Sequence, residues 1–168
     1  MFHGFALAPR RGAVLRVLTI ARISTVHQDA RSLVDQAALC ERHVREHYPG
    51  PVQFDVIQCR SSGEILDRQD LADAEAAVES RVYDLIVVED LGRMCRRSRA
   101  VVFCESCEDA DTRLIAINDS IDTAQGDWRL NAFFASFKHE SGNKDTSLRI
   151  RRSLRHRFEQ GGVLQTLP

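Results

Sequence analysis

Ser24 stands two residues after Arg22 at the end of an apolar run, and two later apolar runs are each followed by arginine-bearing loops. The first loop carries Arg60, Ser61, Ser62, Asp67 and Arg68; the second carries Arg93, Arg96 and Arg97. A guanidinium is a planar fork that matches phosphate oxygens and stays charged at any working pH. Several converging on one hydroxyl describe a phosphoryl-transfer site, with serine as nucleophile and the arginines supplying position and charge. Serines and arginines in loops are ordinarily solvated surface, so the chemistry depends on the elements that would gather them.

Those elements alternate. LRVLTIARI (15–23) has the apolar, β-branched character of a buried strand. Residues 32–48 place Leu33, Ala37, Cys40, Val44 and Tyr48 at helical spacing, and Pro49-Gly50 closes that helix. VQFDVIQC (52–59) predicts a second strand, 60–68 a polar loop and 69–80 an alanine-rich helix. YDLIVVED (83–90) predicts a strand buried on both faces, followed by a basic loop over 91–98. A helix over 99–111, a fourth strand over 112–119 and a long helix from near Trp128 to about Gln160 complete the chain, with Gly142 a weak point and Gly161-Gly162 a stop. This is the pattern of an α/β domain with a mostly parallel sheet of four to five strands. Ligands of such sheets gather at the carboxyl ends of the strands, which is where all three loops would lie.

The 168 residues suit one domain with its own core, and 43% hydrophobic with 28% charged residues excludes disorder for most of it. No stretch is long and apolar enough for a membrane span. The first fourteen residues mimic a signal peptide only weakly and read as a flexible extension. Five cysteines, an odd number with no secretory signal, point to reduced thiols and a cytoplasmic protein. Cys104 and Cys107 share an amphipathic helix with Val101 and Phe103 and read as core thiols. The six histidines form no ligand cluster along the sequence, so no metal is expected. Net charge is -1, but residues 148–168 carry +4, leaving -5 for the rest. A mildly acidic body ending in RIRRSLRHRF points to a polyanion at that end. No phosphate-cradling G-x-x-x-x-G-K-[ST] or G-x-G-x-x-G run is present.

The motifs resemble those of the serine recombinases, the resolvase and invertase family. ARISTVHQDARSLVDQ (21–36) is similar to the family's opening strand end and following S-L-x-x-Q. SSGEILDRQDL (61–71) resembles the S-G-x-x-x-D-R-P-x-L loop, and YDLIVVEDLGRMCRRS (83–98) the segment containing D-R-L-S-R. DSIDTAQGDWRLNAFFASF (119–137) resembles the stretch that opens the long family helix. The likeness runs in order over roughly 15–162 and implies a three-layer resolvase-like domain over 15–126. It further implies a dimerisation and DNA-contacting helix over 127–160, and a linker over 161–168 leading to a DNA-binding domain.

By that resemblance Ser24 would attack a DNA phosphate, forming a phosphoserine link and releasing a 3′-hydroxyl. Arg22, Arg68, Arg93 and Arg96 match the phosphate-facing arginines, with Gln28, Gln36 and Asp67 in support. No metal, nucleotide or other cofactor is implied. The partners would be double-stranded DNA and copies of the chain, as a homodimer that becomes a tetramer during exchange in a bacterial, DNA-associated setting. Arg149, Arg151, Arg152, Arg155 and Arg157 would grip the DNA backbone, and Ile150, Leu154 and Phe158 would form a dimer stripe. The chain departs from the pattern at Gly92, where the family has aspartate, at Cys95, a serine position, at His139, an arginine position, and at Asp145, a basic position. Those departures leave open a catalytically impaired domain that serves as a dimerisation and DNA-binding module.

Overall fold

The computed structural model describes residues 6–23, 31–60, 68–93 and 98–139. Strand β1 (Leu15–Ile23) leads through helix α1 (Arg31–His47) to β2 (Val52–Arg60), and α2 (Arg68–Glu79) leads to β3 (Leu85–Val88). A 3-10 turn (Leu91–Arg93), α3 (Ser98–Asp109), β4 (Arg113–Ala116) and β5 (Ile121–Asp122) come next, and α4 is helical over 128–139. The sheet order is β2-β1-β3-β4-β5; β1 to β4 are parallel and β5 runs antiparallel to β4. Parallel neighbours cannot be joined by tight turns, so each needs a crossover, and the three helices α1 to α3 supply them.

Side-chain alternation sorts the strands into two cores. Leu15 and Val17 of β1, Leu85 and Val87 of β3, and Ile115 face α1 through Cys40 and Val44. Leu18, Ile20, Ile86, Val88, Leu114 and Ala116 face the other way, onto Leu71, Ala74 and Val78 of α2 and Phe103, Cys104 and Cys107 of α3. All four residues of β3 are buried, as a central strand covered on both faces requires. Cys104 and Cys107 are core thiols, as their helix spacing predicts. Three layers result: α1, the sheet, and α2 with α3 and the start of α4.

Two ends are cut by local chemistry. Helix α1 stops before Pro49, which disfavours helical geometry in the preceding residue. Gly50 lets the Tyr48 ring lie against the backbone, since a Cβ there would sit 2.5 Å from ring atoms. Helix α3 closes on Asp111 at φ 56°, with the Thr112 N–H donating to the Cys107 carbonyl at 2.8 Å.

The segment ahead of β1 departs from the flexible extension expected there, over residues 6–14. Leu7 is buried in the α1-side core. Arg10 donates from its backbone N–H (3.0 Å) and Nε (3.3 Å) to Asp84, and from its guanidinium to the carbonyls of Ala110, Arg81 and Tyr83. One arginine thereby satisfies the backbone where β3 begins and where α2 and α3 end, a long-range contact that hydropathy along the chain does not reveal. Strand β5 completes the four to five strands expected, although no run of its own marks it in the sequence. Its two residues are too few for periodicity to mark, and it is fixed by Asp122 accepting two bonds from Arg113 at 2.8 and 2.5 Å. Among the described residues, no helix is long and apolar enough to cross a membrane.

Candidate functional site

The carboxyl ends of β2, β1 and β3 are adjacent in the sheet, so the chain leaves these three strands at one rim. Arg22 is the penultimate residue of β1, in register with Cys59 of β2. Arg68 is the first residue of α2, the element after β2, and Arg93 is the last residue of the turn that leaves β3. Three of the predicted arginine positions therefore belong to neighbouring strand exits. Ser24, Gln28, Asp67 and Arg96 lie outside the described residues, as do Arg149, Arg151, Arg152, Arg155 and Arg157.

Gln36 holds the end of β1. Strand β3 leaves the sheet at Val88, the partner of Ile20, so among the described residues β1 runs on with no strand on that side. The Gln36 carboxamide takes the missing place: its Oε1 accepts from the Arg22 N–H at 3.0 Å and its Nε2 donates to the Arg22 carbonyl at 2.9 Å. Both residues are buried, each 4% exposed. The Arg22 charge acts on the neighbouring Cys59 thiol and lowers its pKa, but burial and Asp70 outweigh it and push that thiol up to about 12.

One strand further along the same rim, three departures from simple loop character meet. Asp90 follows β3, Asp119 follows β4, and His139 lies on α4. His139 Nε2 is 2.9 and 3.1 Å from the two oxygens of Asp119, and Asp119 Oδ2 accepts from the Leu91 N–H at 2.7 Å. Asp119 thus ties the turn bearing Arg93 to α4. Gly92 makes room: a Cβ there would lie 3.1 Å from Asp90 Oδ1 and 3.1 Å from Cγ and Nδ1 of His139. Residue type and spacing do not single out Asp119, because its partners are remote in sequence. The resemblance marks Gly92 and His139 as separate departures; the fold makes them neighbours.

Helix α4 shows two faces. Trp128, Ala132 and Ala135 pack into the core, and the Trp128 indole donates to Glu108 at 3.3 Å. Arg129 bridges Glu105 and Glu108 of α3. The opposite face holds Leu130, Phe133, Phe134 and Phe137, all about 60% exposed or more. Their i, i+3, i+4, i+7 spacing is present in the sequence and marks an apolar stripe. Elsewhere a cavity of about 280 Å³ opens beside α1, lined by Leu7, His43, His47, Arg113 and Ile121 among others; among the described residues, none of the predicted site residues lines it. Burial, then the neighbouring His47, lowers the pKa of His43 there.

The family described as Resolvase, N terminal domain, matches residues 17–163. Among solved structures, the N-terminal catalytic domain of TP901-1 integrase superposes with a TM-score of 0.60 at 19% identity, covering 77% of this chain and 97% of that one. A resolvase family site-specific recombinase from Streptococcus pneumoniae gives 0.57 at 16% identity, with 84% and 99% covered. A serine recombinase from Sulfolobus solfataricus gives 0.50 at 23% identity, with 62% and 69% covered. At these identities the likeness is one of fold. No curated protein is matched.

Proposed function

The chain belongs to the resolvase family through that family's N-terminal domain, and from this premise we propose that it is the DNA-cleaving domain of a site-specific serine recombinase. Ser24 Oγ attacks a backbone phosphorus in line. The bond to the 3′-oxygen breaks, the serine gives up its proton, and the 3′-oxygen gains one to leave as a hydroxyl. The phosphoserine link keeps the energy of the phosphodiester, so the reverse attack by a 3′-hydroxyl reseals DNA without ATP. Arg22, Arg68, Arg93 and Arg96 stabilise the charge that grows on the pentacovalent phosphorus, where fixed donors act most strongly. Gln28 and Asp67 support the loops, and Gln36 sets the strand end.

The observation that carries this reading is the bond pair from Gln36 to the Arg22 backbone. It fixes the chain two residues before the serine at the exit of β1, beside the exits that lead to Arg68 and Arg93. A nucleophile needs such fixing, since misplacement by an ångström costs orders of magnitude in rate. The basic stretch containing Arg149, Arg151, Arg152, Arg155 and Arg157 supplies phosphate contacts, which position without specifying sequence. The apolar stripe of α4 supplies the contact with a second copy, giving a dimer that pairs into a tetramer on DNA.

A second reading has its own observation. The family's aspartate is replaced by Gly92, and the space beside Gly92 is occupied by Asp90 and His139, so the domain could bind DNA and dimerise without cutting. The deciding experiment incubates the chain with a randomised pool of nicked duplexes that trap a cleaved intermediate. A covalent protein–DNA adduct that disappears in Ser24→Ala supports the enzyme; DNA retention with no adduct supports the binding module.

A further inference from the structure

We propose that Asp90, Asp119 and His139 form a site for a divalent transition cation that pins α4 to the rim of the sheet. Three observations carry it. One ligand atom from each residue lies within 4.8 Å of the other two, and each residue is half-buried, so the donors are gathered yet reachable from solvent. The Asp119 oxygen and His139 nitrogen are already 2.9 Å apart. Neighbouring ligands about 2.1 Å from one ion sit roughly 3 to 3.4 Å apart, so the Asp119–His139 pair opens by a few tenths of an ångström while the three donors, now within 4.8 Å, draw in around the ion.

The second observation is the support behind the donors. Asp119 Oδ2 is held by the Leu91 N–H at 2.7 Å, which leaves Oδ1 toward the histidine. Ligating carboxylates are characteristically fixed in this way by a hydrogen bond from outside the coordination sphere. The third is Gly92. Any side chain at this position would crowd Asp90 Oδ1 and the His139 ring together, at 3.1 Å from its first carbon. Glycine is what lets a carboxylate and an imidazole from distant segments share this space.

The donor set selects the ion. Two carboxylate oxygens and one imidazole nitrogen suit Mn²⁺ or Zn²⁺ better than Mg²⁺ or Ca²⁺, which favour oxygen alone. Two carboxylates match the charge of a divalent ion, and three protein ligands leave the remaining positions to water. The role is structural: the ion would join the exit of β3, the β4–β5 turn and α4, with no part in strand cleavage. The inference stands whether or not the chain cuts DNA, and its test uses none.

The test titrates Mn²⁺ into the full chain. Bound ion is read as loss of the free-ion paramagnetic resonance signal, and imidazole ligation as nitrogen modulation of the bound ion's spin echo. One bound ion per chain with nitrogen modulation is expected, weakened about tenfold or more in both Asp119→Asn and His139→Gln. His139 is partly exposed near the described end of α4, so His139→Gln keeps the fold if its thermal unfolding without metal matches the parent. The absence of bound Mn²⁺ at millimolar concentration, or binding undiminished in His139→Gln, overturns the proposal.

Discussion

The Gln36 side chain forms a pair of hydrogen bonds with the peptide groups of Arg22, replacing a sheet neighbour at the point where β3 has ended. Gln36→Met keeps the volume and removes both bonds, leaving a buried N–H and a buried carbonyl unsatisfied. Each such group costs about 1–3 kcal/mol, so a loss of roughly 2–6 kcal/mol in urea unfolding is expected. Gln36→Glu retains the acceptor and loses the donor, and should fall between the two. A Gln36→Met chain as stable as its parent would contradict this account of the strand end.

Gly92 and His139 should be energetically coupled. Gly92→Ala puts a carbon 3.1 Å from the His139 ring and Asp90 Oδ1, at a cost of about 1 kcal/mol. In a His139→Ala background part of that crowding is gone. The double-mutant cycle should show a coupling of at least about 0.5 kcal/mol. Strict additivity would mean that the two positions do not press on each other.

Burial pushes the Cys40 and Cys59 thiols from 9.0 up to about 12. An unfolded chain ionises these thiols near 9.0 while the folded chain keeps them protonated. Their contribution to stability is therefore complete below that pH and is lost as pH rises toward about 12. Urea midpoints should decline from about pH 8 to about pH 10, and less steeply in Cys40→Ala/Cys59→Ala. Peptide mapping after iodoacetamide at neutral pH should find both thiols unmodified in the folded chain and modified in urea. Rapid alkylation of either in the folded state would contradict their burial.

The stripe Leu130, Phe133, Phe134 and Phe137 should drive self-association. Phe133→Asp/Phe137→Asp places two charges on positions 62% and 65% exposed, so the isolated fold should lose little stability. Sedimentation should show the parent associating with rising concentration and the variant remaining a monomer. An unchanged distribution would remove this face from the dimer.

The features legible along the chain are those that repeat locally. Val17, Leu18 and Ile20 announce a strand, and Leu33, Cys40 and Val44 announce the buried face of α1, because burial of one face imposes a period. The alternation of strands and helices puts the strand exits, and with them the positions of Arg22, Arg68 and Arg93, at one edge. Contacts between remote segments leave no such trace. Arg10 reaches carbonyls more than seventy residues away, and Asp119 meets His139 twenty residues on. No periodicity encodes either, so in sequence residues 6–14 look loose and Asp119 looks ordinary. The aromatic stripe of α4 is legible by spacing, yet the basic stretch draws attention instead to Ile150, Leu154 and Phe158, which lie outside the described residues.

Ser24 alone carries the DNA in the proposed reaction, and peptide mass spectrometry of the trapped adduct locates the bond. After nuclease trimming, a nucleotide-bearing phosphate is expected on Ser24, with a free 3′-hydroxyl on the released strand. A phosphate on Tyr48, Tyr83 or another serine, or cleaved DNA with no protein attached, would contradict it.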